Sequence, residues 1–116
     1  MRRGEVYDAC LDPGEGSEQA GIRPVIIVSR DAINITSQVV LAVPCTTYRP
    51  RKRIYPSQVL LPSPDGGLEH DWVALGEQVR TLAKTRFLRL RGTLPSSSLT
   101  QLDRALLIAL DLPGQV

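Results

Sequence analysis

Pro24-Val25-Ile26-Ile27-Val28-Ser29 is the stretch on which the fold turns. Four β-branched residues stand in a row within it. Such side chains are stiff at χ1 and pack well on a pleated surface. No polar residue alternates with them, so the run reads as a central strand buried on both faces. Val39 to Val43 (Val-Val-Leu-Ala-Val) reads the same way.

Working outward, Glu5 to Leu11 is expected as a first strand, with Tyr7, Ala9 and Leu11 on one face. Asp12-Pro13-Gly14-Glu15-Gly16-Ser17 is a loop, because Pro and Gly fit poorly in a ladder. Thr47 to Pro56 is a basic loop closed by Pro50 and Pro56. Ser57 to Leu61 is a short strand, and Pro62 to Gly67 is a turn. Asp71 to Arg80 reads as one long strand. Val73, Leu75, Glu77 and Val79 would share one of its faces, and Trp72, Ala74, Gly76, Gln78 and Arg80 the other. Phe87 to Thr93 is expected as the last strand. The C-terminal region changes period: Leu99, Leu102, Leu106 and Leu110 recur at helical spacing. Ser98 with Gln101 fits a capping box, and Pro113-Gly114 would stop the helix. Leu106 to Leu112 is apolar around most of its circumference, which points either to a subunit interface or to a helix set deep in its own fold. Short strands and one terminal helix give a mainly β (α+β) class, a small antiparallel barrel or half-barrel.

The chain has 116 residues and is 42% apolar. That suits one folded domain, residues 1–116, and is too apolar for a disordered chain. No apolar run reaches the roughly 18 residues a membrane span needs. Met1-Arg2-Arg3-Gly4-Glu5 carries no apolar export segment, so the expected location is the cytoplasm. There Cys10 and Cys45 are read as buried thiols. These two and the single histidine, His70, are too scattered for a site that wants about four ligands, so no metal and no cofactor is expected. The Gly residues form no phosphate-cradling motif. Asn34-Ile35-Thr36 matches a glycosylation sequon that a cytoplasmic protein would not use. The net charge of +2 implies little by itself. Its distribution says more: Arg49, Arg51, Lys52 and Arg53 form one basic cluster, and Arg80, Lys84, Arg86, Arg89 and Arg91 another. Either suits phosphate contacts, and either also suits a solvated face.

Three segments, in order, resemble the MazF/PemK family. The first runs Arg3-Gly4-Glu5-Val6-Tyr7 to Leu11-Asp12-Pro13, then Gly16-Ser17-Glu18-Gln19-Ala20-Gly21-Ile22-Arg23-Pro24-Val25. The second is Val43-Pro44-Cys45-Thr46. The third is Glu77-Gln78-Val79-Arg80-Thr81, preceded by Gly67-Leu68-Glu69-His70-Asp71. Each is weak alone, but together they span nearly the whole chain. The resemblance implies a small SH3-like antiparallel barrel of the MazF/PemK/CcdB type with a C-terminal helix. It implies the toxin of a type II toxin–antitoxin system: a metal-independent, sequence-specific endoribonuclease that cleaves single-stranded mRNA and inhibits translation. The implied partners are single-stranded RNA, a cognate antitoxin and a second copy in a homodimer, with no membrane. Two alternatives stay beside it: a non-catalytic gyrase-poisoning toxin of the same fold, and an RNA-binding module without cleavage.

RNA cleaves itself when its 2′-OH attacks the adjacent phosphate. An enzyme must help remove that proton, stabilise charge on phosphorus and protonate the leaving 5′-oxygen. The resemblance implies Arg23, Thr46 and Glu77 as the catalytic residues. The guanidinium fork of Arg23 suits a phosphate, and Pro24 stiffens the backbone after it. The Thr46 hydroxyl can donate to a phosphate oxygen and accept from the 2′-OH. Glu77 reads as a general base, as a base-reading residue, or as an ion-pair partner for Arg80. Glu77 and Gln78 would face opposite sides of an ideal strand, so both reach one cleft only if the strand bulges or ends there. The expected RNA-binding residues are Ser17, Glu18 and Gln19 on a mobile loop, Arg49, Arg51, Lys52 and Arg53 on the basic loop, and Gln78 and Arg80. Tyr48 and Tyr55 flank the basic cluster and could stack bases or pack on the barrel rim.

Overall fold

Both apolar runs are central strands. A computed structural model describes residues 1–114. In it β2 (Ile22–Ile27) and β3 (Val39–Thr47) pair antiparallel, with Val25 opposite Pro44 and Ile27 opposite Ala42. Val25 and Ile26 are adjacent and wholly buried, yet they belong to different apolar clusters. Val25 joins Ala9, Leu11, Ala42 and Leu82. Ile26 joins Val6, Val43, Cys45, Leu61 and Leu102 among others. Burial on both faces is what an unalternated β-branched run demands.

The strand order is β4 (Gln58–Leu61), β5 (Trp72–Leu75), β3, β2, β1 (Glu5–Cys10), β7 (Phe87–Thr93), with β6 (Arg80–Ala83) also paired to β3. The described pairings are antiparallel. With a C-terminal helix, α2 (Ser96–Ala109), this is the mainly β class expected. The expected face of β1 holds: Ala9 and Leu11 are wholly buried in one cluster and Tyr7 packs against it, while Val6 enters the other. The alternation survives two register slips against β7, between Val6 and Tyr7 and between Asp8 and Ala9, because the pairing with β2 is unbroken from Val6 to Cys10.

The long strand expected over 71–80 does not exist. β5 stops at Leu75, a single 3-10 turn covers Gly76–Gln78, and β6 begins at Arg80. The reason is β3, which pairs through Val39–Ala42 with β6 and through Cys45–Thr47 with β5. The chain runs along one edge of β3 and kinks where the partner changes. Gly76 permits the kink. Its N–H donates to the Ser57 carbonyl at 3.0 Å, and a Cβ there would collide with that same oxygen.

A helix that the sequence reading left out, α1 (Asp31–Thr36), fills the β2–β3 connection. The sequon residue Asn34 is buried in it. Its amide donates to the Ser29 carbonyl at 2.8 Å and accepts from the Ser29 hydroxyl. The capping box is also corrected. α2 starts at Ser96, after Pro95, with no side-chain cap, and the Ser98 hydroxyl donates instead to Asp65 at 3.2 Å. The helix ends at Ala109, ahead of Pro113, where the chain turns through a positive φ at Asp111. Leu102 and Ala105 enter the core, and Leu106 packs against it. Ile108, Leu110 and Leu112 remain exposed, so the helix is not set deep in its own subunit.

Leu102 is wholly buried among strand residues of the main cluster. Leu102→Ala should therefore lower unfolding free energy by roughly 2–5 kcal/mol, the range for a leucine truncated in a packed core. Chemical denaturation checks this, and a loss under about 1 kcal/mol would mean α2 is not docked as described.

Candidate active site

The kink at Gly76 builds the site. A cleft of about 310 Å³ opens between the β1–β2 loop, the end of β3, the basic loop after it and the Gly76–Gln78 turn. Val73 and Leu75 of β5 form an apolar floor. Thr46, Thr47 and Tyr48 come from the end of β3, where Thr46 stands opposite Val73. Ser17 and Gln19 come from the β1–β2 loop. Arg49, Lys52, Arg53, Ile54 and Tyr55 come from the basic loop, and Gln58 from β4. Both Glu77 and Gln78 line it. The conflict over their facing disappears, because they sit on a tight turn where period-2 alternation does not hold. A second pocket of about 320 Å³ lies against the same pair, lined by Glu18, Glu77, Gln78, Val79 and Arg80.

The two residues of the turn reach opposite walls. Glu77 accepts from the Gln58 amide at 2.7 Å and the Ser57 hydroxyl at 3.2 Å, so its partners are neutral and on the β4 side. The ion pair with Arg80 considered from sequence is not formed. Gln78 reaches the β1–β2 loop: its amide oxygen accepts from the Gln19 N–H at 2.9 Å, and its amide nitrogen donates to the Ser17 carbonyl at 3.1 Å. That loop has further ties. The Gly21 N–H donates to Asp12 Oδ1 at 2.8 Å, and Arg86 donates to the Asp12 carbonyl at 2.7 Å. The expected mobile loop is thus a tethered one.

Arg23 and Arg51 stand outside the lining of either pocket. Arg51 is exposed on the basic loop. Arg23, at the start of β2, donates from Nε to the Ala20 carbonyl at 3.2 Å. The β2–β3 ladder stops at Val25 and Pro44. On the other edge of β2, Arg23 stands opposite Ala9 of β1. Four guanidinium N–H groups stay available beyond the Nε bond. Gln58 was missed from sequence, and nothing in its local pattern marks it; only the tertiary approach of β4 to the turn brings it to Glu77. Tyr55 lies under Arg53, whose Cζ is 5.0 Å from the ring centroid. A cation there holds one ring face, worth about 0.5–1 kcal/mol at an exposed site.

The sequence matches, over residues 2–110, the family model described as PemK-like, MazF-like toxin of type II toxin-antitoxin system. The chain belongs to this family. Endoribonuclease MazF9 of Mycobacterium tuberculosis is 42% identical over 117 residues, covering 97% of this chain and 98% of that protein. An endoribonuclease solved in complex with its cognate antitoxin, from a mycobacterial species, superposes with a TM-score of 0.80 at 29% identity, over 99% of both chains. MazF of Deinococcus radiodurans gives 0.81 at 26% identity, over 97% of both chains. For a MazF-like toxin, the cleft lies where all three motif segments meet: the Gly-Ser-Glu-Gln loop, the end of the Pro44–Thr46 segment and the Glu77-Gln78 turn.

Cys45 precedes Thr46 but faces away from the cleft, fully buried in the main cluster. Burial pushes its thiol up to about 12. It is therefore protonated and unreactive at neutral pH. The unfolded thiol ionises near 9.0 and the folded one near 12. The unfolded state thus binds fewer protons across that window, and stability falls as pH rises through it. In the native protein at pH 8, Cys45 should resist a thiol-labelling reagent and become reactive only on denaturation. Mass spectrometry of the labelled peptides checks this.

Proposed function

We propose that this chain is the toxin of a type II toxin–antitoxin pair and acts as a metal-independent, sequence-specific endoribonuclease on single-stranded mRNA. The observation that carries the reading is the convergence on one cleft of a hydroxyl (Thr46), a carboxylate (Glu77) and three cations (Arg49, Lys52, Arg53). The cations draw in the phosphate backbone. A single strand fits such a site because its bases can be splayed into pockets. The 2′-OH attacks the adjacent phosphorus, the O2′–P bond forms and the P–O5′ bond breaks. The products are a 2′,3′-cyclic phosphate and a 5′-OH, whose oxygen takes its proton from solvent water. Glu77, held by Ser57 and Gln58, keeps lone pairs free to take the 2′ proton. Thr46 donates to a phosphate oxygen. Arg23, carried from the family resemblance, stabilises the charge that grows on phosphorus.

The related structures support a cognate antitoxin as partner. Ile108 of α2, with Leu110 and Leu112 just after it, supports a homodimer, since an isolated subunit leaves them in water. No described helix is long and apolar enough to cross a membrane; the cytoplasm is the compartment that suits action on mRNA.

Incubation of purified protein with a long single-stranded RNA in excess EDTA should give discrete cuts. Arg23→Ala should lower kcat/KM by roughly 100- to 1,000-fold, the scale for one lost oxyanion donor, with a large loss for Thr46→Ala too. Diverse RNAs left intact by the wild type would overturn the nuclease reading. Cuts persisting in both variants would overturn the assigned residues. Neutralising Arg49, Lys52 and Arg53 together should flatten the plot of log affinity against log salt by about 2, at about 0.7 per phosphate contact on a single strand. An unchanged slope would remove the basic loop from the RNA path.

A further inference from the structure

The Gln78 side chain makes two hydrogen bonds, and both go to backbone atoms of the β1–β2 loop. It accepts from the N–H of Gln19 and donates to the carbonyl of Ser17, backbone groups on either side of Glu18, whose own N–H closes a tight turn onto the Glu15 carbonyl at 3.1 Å. The side-chain amide thus ties the turn at two backbone groups at once. The consequence lies in the pockets. Ser17 and Gln19 line the Thr46 cleft, while Glu18 between them lines the second pocket with Arg80. The loop, held at both ends of this tripeptide, is the wall between the two. Gln78 is itself anchored: the Gly76 N–H holds its turn on Ser57, and Glu77 holds it on Gln58.

We propose that Gln78 is a positioning residue, not an RNA contact: it fixes the Ser17–Gln19 loop so that neighbouring bases are sorted between the two pockets, and sequence discrimination depends on it. This rests on the nuclease reading above. The second pocket, with the Glu18 carboxylate as acceptor and Arg80 as donor, takes a base edge that presents an N–H beside an acceptor. When the loop is freed, Glu18 and Gln19 lose their fixed places, and a wrong base no longer meets unpaired polar groups. Lost rejection of this kind is how a polar pocket loses specificity.

Two variants test it. Gln78→Met keeps the length and loses both hydrogen bonds. Gln78→Glu keeps the acceptor for Gln19 and loses the donor to Ser17. Amide hydrogen exchange reads the tie directly. The Gln19 N–H should exchange roughly tenfold faster in the Met variant, as expected for one lost hydrogen bond, while the Glu variant retains most of the protection. The Val43 amide, read alongside, reports global stability. In the same proteins, kcat/KM is measured on the preferred RNA and on single-base variants of it. The ratio between them should fall roughly tenfold in the Met variant and partly recover in the Glu variant. A purely structural defect would lower both values together and leave the ratio intact, which overturns the proposal. Unchanged exchange at Gln19 overturns it as well. A wild type that cuts no RNA sinks the nuclease reading and the discrimination role with it, a result distinct from either of these.

Discussion

One strand serving two ladders on the same edge is the constraint on which the rest of the structure depends. β3 pairs first with β6 and then with β5, and the change falls across Val43 and Pro44. Pro44 has no N–H to give, so it suits the gap between ladders. The partner chain must pass the same gap, and it does so by leaving the extended conformation for three residues. Everything polar in the cleft follows. Thr46 sits beyond the gap on β3, and Glu77 and Gln78 sit in the gap on the other chain. A straight β3 with one long partner would have given a flatter sheet with the carboxylate and the amide on opposite sides.

The central strands, the last strand and the apolar face of α2 were legible in the sequence, because burial imposes a period on apolar side chains. What escaped was set by contacts distant in sequence. Val79 resumes the apolar alternation after Gly76–Gln78, so a three-residue turn left the pattern over 71–80 intact. α1 is six residues long and owes its position to Asn34 and Ser29, a pair no hydrophobic period reveals. Ser98 looked like a cap because its hydroxyl stands near a helix start, but Asp65 takes that hydroxyl through the tertiary fold. The site divides the same way. Residue types and their order pointed to Thr46, Glu77 and the basic loop. Gln58 was invisible, and so were the bonds from Gln78 to the β1–β2 loop, since both depend on which groups the tertiary fold brings within 3 Å or so of a side-chain amide.

The cleft is electrically two-sided. Its cations arrive on one segment, the basic loop, while its carboxylate stands on the turn across from them, bound by neutral donors rather than by any of those arginines. That separation keeps the cations available for phosphate and the carboxylate available for a proton. An ion pair across the cleft would have cancelled both. Tyr55, with Arg53 over one ring face, shows that the basic loop is partly organised before any nucleic acid arrives.

Arg3 joins parts of the chain made far apart. Its backbone N–H donates to Asp31, its Nε to the Val28 carbonyl, and its terminal nitrogen bonds Asp103, 100 residues away in sequence. Leu102 and Ala105 complete the main core from the same helix. The core therefore cannot close before α2 is in place. Closing the Arg3–Asp103 contact means closing a loop of about 100 residues, an entropic cost met before any of its contacts reward it.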